Sequence, residues 1–269
     1  MRSLFLGLSL AIFMSACSDS QPLQKLTLTG SSTVAPVASE IAKAYEKDHP
    51  GTRIEVQTGG SSRGITDADS GRADIGMVSR ALKSEEAGFE FHTVAIDGVA
   101  VILNTKNGVK EFTRDQLIAI YTGKISNWKD LGGIDAEITV VNKAAGRATL
   151  EVFIKFLGLD SADIDADLIV GENQQAIKTV SGNPNAIGYV SIGAAEVEAK
   201  NGVPTKTIAV DGIAANSETV ANGTYPISRP LLLITKGESS DLAKDFLNFA
   251  TSKDVHPLIL SQLYVPFGK

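Results

Sequence analysis

Cysteine is almost missing from this chain: Cys17 is the only one in 269 residues, so no internal disulfide can staple the fold. Histidine occurs three times, at His49, His92 and His256, without the paired spacing of metal ligands, and no metal or other cofactor is expected. No basic tract offsets the formal net charge of −6, which weighs against general nucleic-acid binding. Neither a G-x-x-x-x-G-K-[ST] phosphate loop nor a G-x-G-x-x-G fingerprint occurs, and the sequence holds no internal repeat or low-complexity tract. The apolar run Leu4 to Met14 is too short to span a bilayer. What remains is an ordinary globular composition, 43% apolar and 21% charged, long enough for one or two domains.

Two stretches stand out against this background, Thr29-Gly30-Ser31-Ser32-Thr33 and Thr58-Gly59-Gly60-Ser61-Ser62-Arg63-Gly64. Each follows a strand-like run and precedes a helix-like one. A Gly/Ser loop entering a helix leaves backbone N–H groups free, with the positive end of the helix dipole behind them. Hydroxyls from Ser31, Ser32, Thr33, Ser61 and Ser62 add donors to the same space. The pattern suits a small oxyanion held between two such loops.

The first residues read as a targeting segment, with Arg2 as the positive end and Leu4 to Met14 as the apolar stretch. Small residues before Cys17 resemble a bacterial lipobox, in which the cysteine is lipidated and becomes the first mature residue. An ordinary signal peptide with an incidental cysteine is the alternative. Residues 1–16 are therefore expected to be a signal peptide and 17–24 a lipidated tether. The membrane is engaged through that anchor alone, in the periplasm or cell envelope.

Strand and helix patterns alternate from residue 26 onward. Helical spacing over Val37, Ile41, Ala44 and Tyr45 follows the first loop, with Pro36 placed for a first turn. Strands are predicted at 26–29, 53–58, 73–78, 92–104, 138–141, 186–190 and 230–235. Helices are predicted at 65–70, 112–122, 149–157, 173–180 and 242–250. Repeated βα units imply a parallel-rich α/β fold, in which ligands sit beyond the carboxyl ends of strands.

Cations sharpen the anion reading. Arg63 and Arg147 each fall at a helix start, where a positive charge opposes the dipole by about 0.3–1 kcal/mol. Something negative between cation and helix would resolve both conflicts. Lys143 lies on the same turn as Arg147. Ser79 and Arg80 end a strand, where a ligand contact is expected, although Arg80 reads equally well as a structural ion-pair partner. Gly60-Ser61-Ser62-Arg63-Gly64 also fits the G-x-S-x-G pattern of a nucleophile elbow, which makes a serine hydrolase using Ser62 and His256 the competing class.

Thr29-Gly-Ser-Ser-Thr-Val-Ala-Pro36, Gly60-Ser-Ser-Arg-Gly64, Ala73-Asp-Ile-Gly-Met-Val-Ser-Arg80 and Tyr121-Thr-Gly-Lys-Ile-Ser-Asn-Trp-Lys-Asp-Leu-Gly-Gly133 together resemble the phosphate-binding component of bacterial ABC phosphate transporters. Ala186 to Val190 and Asn222 to Arg229 extend the resemblance over nearly the whole mature chain. It implies a two-lobed periplasmic-binding-protein fold of type II character, with lobe one at 25–105 plus 197–269 and lobe two at 106–196. It also implies a monomer without catalytic activity that binds phosphate and serves a membrane permease. Ser32, Thr33, the backbone of Val34, Ser61, Ser62 and Ser79 carry over as ligand contacts. In the second lobe the family's Arg and Ser-Gly-Thr turn correspond to Lys143 and Arg147-Ala148-Thr149. The Asp with which some members accept a phosphate proton has only Ser79 and Arg80 as counterparts. Sulfate, molybdate and a phosphate-sensing role remain alternatives within the class.

Overall fold

The computed structural model describes residues 23–268; the Cys17 anchor and the leader before it lie outside them. The first half opens with β1 (Gln24–Gly30), α1 (Ala35–Asp48), β2 (Thr52–Thr58), α2 (Ser61–Asp69) and β3 (Ile75–Val78), then enters the long β4 (Phe89–Asn104). The chain continues through β5 (Glu111–Phe112), α3 (Arg114–Tyr121), β6 (Thr139–Lys143), α4 (Ala148–Leu157), β7 (Leu168–Val170) and α5 (Asn173–Gly182). Next come β8 (Ala186–Ser191), α6 (Ile192–Lys200), β9 (Thr205–Val210) and α7 (Ser217–Ala221). It returns by β10 (Ser228–Lys236), α8 (Asp241–Ala250), α9 (His256–Ser261) and β11 (Val265–Pro266). Among the described residues no helix is long and apolar enough to cross a membrane.

The strands follow one path, β2-β1-β3-β10-β4-β8-β6-β7. β1 runs parallel to β2 and β3, so all three carboxyl ends meet one edge. In the other half β6 is parallel to β7 and β8. β4 joins the halves: its first part pairs with β10 and its last residues pair with β8 and β9, all antiparallel. Each half buries its own core, Leu26, Ile41, Met77, Leu233 and Phe246 in the first, Leu117, Trp128, Phe153, Tyr189 and Ile208 in the second. This is an α/β fold of two lobes.

The border between lobes differs from the expected one. The expected border puts residues 205–227 in lobe one, yet β9 pairs with β4 and β5, and Val210, Val220, Tyr225 and Ile227 join the second core. Val99, Val101 and Leu103 belong to that core as well. The chain therefore crosses between halves near Asp97 and near Arg229, two residues directly opposite each other in the β4–β10 register. β9 escapes the sequence pattern because Thr205–Val210 alternates weakly and carries Lys206 and two threonines. β7, α6 and α9 were also missed; the first two add to the second half, and α9 packs against α1 and β11.

Close backbone approach explains two glycine positions. A Cβ at Gly64 would lie 2.8 Å from the carbonyl oxygens of Met77 and Thr29, so only glycine lets α2 rest directly on β1 and β3. Gly60 precedes α2 at φ 97°, and a Cβ there would lie 2.8 Å from the Gly146 carbonyl oxygen of the other half. The two loops can thus meet backbone to backbone across the cleft.

Candidate oxyanion site

The carboxyl ends of β1, β2 and β3 and the start of α4 deliver a cluster of hydroxyls to one buried point. Ser31 Oγ donates to Ser79 Oγ at 2.9 Å and accepts from the N–H groups of Thr33 and Val34. Ser61 Oγ accepts from the Ser79 N–H at 3.1 Å. From the opposite half, Asn173 Nδ2 donates to Thr33 Oγ1 at 3.1 Å. Ser31, Thr33, Ser61, Ser79, Thr149 and Asn173 are all buried.

Arg229 ties the cluster together. Its Nη1 donates to Thr149 Oγ1 at 2.9 Å and reaches Ser79 Oγ at 3.5 Å, while Nη2 donates to Thr33 Oγ1 at 3.1 Å. Asp97 Oδ2 accepts from Arg229 Nε and Nη2 at 3.2 and 3.0 Å, and both side chains are 1% exposed. Asp97 Oδ1 accepts from the Gly193 N–H. An isolated buried guanidinium would be prohibitive, so the aspartate is what permits a cation here.

Helix ends point the same way. α1, α2 and α4 start at Val34, Gly60 and Arg147 with no capping side chain of their own, whereas Thr113, Ser191, Asn216 and Ser240 cap α3, α6, α7 and α8. The Val34 and Ala35 N–H groups of α1 already bond Ser31 and the Ser62 N–H bonds Gly146, so the backbone donors left for an anion are those at the very start of α2 and α4, with the dipole adding a favourable field.

The anticipated residues divide by placement. Ser31, Thr33, Ser61, Ser79 and Thr149 form the cluster, and Val34 and Ala148 supply buried helix-start backbone beside it. Ser32 is half-buried on the first loop, and the Ser62 N–H donates to the Gly146 carbonyl across the halves at 3.2 Å. Lys143 is 2% exposed at the end of β6, its Nζ donating to the Glu172 carbonyl at 2.8 Å. Burial lowers its pKa from 10.5 to about 7, with Glu172 opposing that shift and Arg229 and Arg147 reinforcing it.

The other three anticipated cations are each answered by a carboxylate. Arg63 is exposed and bonded to Asp67, the Thr58 carbonyl and Gln57, all in its own half, so its conflict with the α2 dipole is relieved by Asp67. Arg80 makes a two-pronged pair with Glu86 at 2.7 and 2.8 Å, and its Nε lies 3.1 Å from Glu151 of the other half. Arg147 lies against Gly60 and Gly171 and pairs with Glu172 at 2.5 Å, which answers its charge from α5.

Ser62 and His256 share no hydrogen bond; His256 begins α9, which packs on α1 and β11, while α2 rests on β1, β3 and β10. No elbow-and-histidine pairing is formed. Trp128 is fully buried, with Nε1 donating to the Asn185 carbonyl at 3.0 Å, and anchors its loop.

Sequence reasoning missed Arg229, Asp97 and Asn173 as site residues. Asp97 did leave a signal: a lone carboxylate inside the apolar run from Val94 to Leu103 must have a buried partner. Asn173 left none.

Residues 16–254 match the PBP superfamily domain. The phosphate-binding protein PstS of Bacillus subtilis is 33% identical over 258 residues, covering 94% of this chain and 84% of that one. The chain belongs to the phosphate-binding protein family. Two solved structures agree in fold. One is a phosphate ABC transporter substrate-binding protein from Clostridium perfringens with bound phosphate, 35% identical, with a TM-score of 0.86 over 91% of this chain and 100% of that one. The other is an ABC-type phosphate transport receptor from Vibrio cholerae, also 35% identical, with a TM-score of 0.73 over 89% and 99%.

Proposed function

We propose that this chain captures inorganic phosphate between its two lobes and delivers it to the permease of an ABC importer. The observation that carries the reading is the Arg229 guanidinium, which bridges hydroxyls of both halves, Thr33 and Ser79 on one side and Thr149 on the other, at a buried point where three uncapped helix starts converge. The relatives named for phosphate binding and phosphate transport support the same ligand. Calorimetry with phosphate, sulfate and molybdate tests it: phosphate should bind, and a flat trace for all three would remove the oxyanion reading.

Selectivity within the class rests on one geometric point. Asp97 Oδ2 accepts twice from Arg229 and Oδ1 once from the Gly193 N–H, so the Asp97 charge is committed to Arg229 rather than offered to a ligand proton. Sulfate should therefore compete more effectively than at a site with a free acceptor. The serine-hydrolase alternative loses its pair, since Ser62 and His256 share no hydrogen bond. In this reading Cys17 carries the lipid anchor, which holds a monomeric binding protein at the cell envelope. Mass spectrometry of the mature N-terminus checks the anchor, with an unmodified Cys17 as the contrary result.

A further inference from the structure

Three cations lie at or beside the candidate site, and two already have a carboxylate. Arg229 is held by Asp97 at 3.0 Å and Arg147 by Glu172 at 2.5 Å. Lys143 differs. Its Nζ donates to a single neutral group, the Glu172 carbonyl, and among the described residues no carboxylate oxygen stands within ion-pair distance of it. It is 2% exposed, so water does not solvate the ammonium instead.

Every element packed around Lys143 can be checked for charge. α5 presents Glu172, already bonded to Arg147, and the start of α4 presents Arg147 itself. β10 brings Arg229, with Asp97 of β4 behind it. β8 brings Tyr189, whose hydroxyl accepts from the Lys143 backbone N–H and donates to Asn142. β7 contributes Val170, which carries no charge. A protonated Lys143 in the empty protein would thus face two like charges and one shared carboxylate. A doubly charged oxyanion between the lobes would find Arg229 and Arg147 largely neutralised, leaving Lys143 as the cation able to answer it.

We propose that Lys143 is a proton-coupled counter-ion: as the oxyanion enters, Nζ takes a proton from solvent, so capture of a dianion is accompanied by uptake of about one proton. This rests on the phosphate reading above and adds to it a pH-dependent affinity specific to lysine. An arginine at this position stays charged at all accessible pH and would show no such coupling. Direction follows from linkage. With Lys143 near pKa 7 when the site is empty, it is charged before the ligand arrives at pH 6, and must be charged by the ligand at pH 8.5. Affinity for the dianion should therefore fall as pH rises above 7, by up to about tenfold per pH unit, until the bound lysine itself loses its proton.

The test is calorimetric titration of phosphate at pH 8.5 in two buffers of different ionisation enthalpy, which counts protons taken up. The wild-type protein should take up about one proton per phosphate, and Lys143→Arg about none. Uptake that persists in Lys143→Arg would place the proton on the ligand and overturn the proposal, as would a wild type that binds phosphate with no uptake. Should the variant fail to fold, the side-chain carbon resonances of lysine-labelled wild type decide it. One lysine should titrate near 7 without phosphate and at clearly higher pH with it. If no lysine changes its titration on phosphate addition, the idea falls. A wild type that binds no phosphate at all would instead refute the function itself.

Discussion

Arg229 carries a full charge where water does not reach, and its guanidinium stays there because Asp97 faces it across two strands. Removing one member of such a pair leaves the other buried and uncompensated, which costs about 3–5 kcal/mol. Asp97→Asn should therefore lower the urea midpoint strongly, and added phosphate should restore more stability to the variant than it adds to wild type, because the anion then answers Arg229. An Asp97→Asn protein as stable as wild type would mean that Arg229 is solvated by another route. Lys143 makes a second, opposite statement about stability. Its folded pKa of about 7 lies below the unfolded value near 10.5, so between those limits the unfolded chain binds more protons. The lysine's contribution to ligand-free stability is then unfavourable below pH 7 and improves as pH rises, by up to about 1.4 kcal/mol per unit. Urea titrations at pH 7, 8 and 9 should show this rise in wild type relative to Lys143→Met, and parallel curves for the two proteins would contradict it.

At the scale of elements, the first loop, the second loop and the start of α4 were legible in the sequence because each combines a turn-forming glycine, hydroxyls and a helical pattern. Those residues advertise a local conformation. Arg229, Asp97 and Asn173 do not, since what makes them site residues is a meeting of segments 132 and 140 positions apart. Arg63, Arg80 and Arg147 illustrate the converse. Each was singled out by its place beside a helix start or strand end; Asp67 lies only four residues on along α2, but Glu151 and Glu172 come from positions that local reasoning could not bring near. Glu151 is the telling one. It stands in the first turn of α4, where it favours the dipole, and reaches Arg80 at 3.1 Å and Lys83 at 2.8 Å in the other half. These contacts exist only while the lobes are together. Glu151→Gln should weaken phosphate binding by about 1 kcal/mol, or roughly fivefold, because the pair is partly exposed. The loss should shrink at high salt. An unchanged affinity would show that the network only decorates the closed form.

At the scale of the whole molecule, two crossings of the chain, near Asp97 and near Arg229, connect lobes that otherwise meet through polar contacts at the cleft and through Tyr264 and Val265 against the second half. Thin connections between separately packed cores permit rigid-body rotation, while a ligand that bonds both sides selects the closed arrangement. The contacts already present across the cleft are few and specific: the Ser62 N–H to Gly146, Asn173 to Thr33, Arg229 to Thr149, and Glu151 to its two cations. Each is individually weak, so the empty protein should sample open forms and phosphate should draw it closed. Small-angle scattering should then record a smaller radius of gyration with phosphate than without. Asn173→Ala deletes one neutral hydrogen bond made across the lobes, worth about 0.5–1.5 kcal/mol, so the same compaction should need about two- to twelvefold more phosphate. The end state at saturation should match wild type, because the variant removes one closure contact while Arg229 and the hydroxyl cluster remain. A radius of gyration that phosphate leaves unchanged in the wild-type protein would mean the lobes are closed before the ligand arrives, and entry would then require local opening of the two loops rather than rotation of the halves.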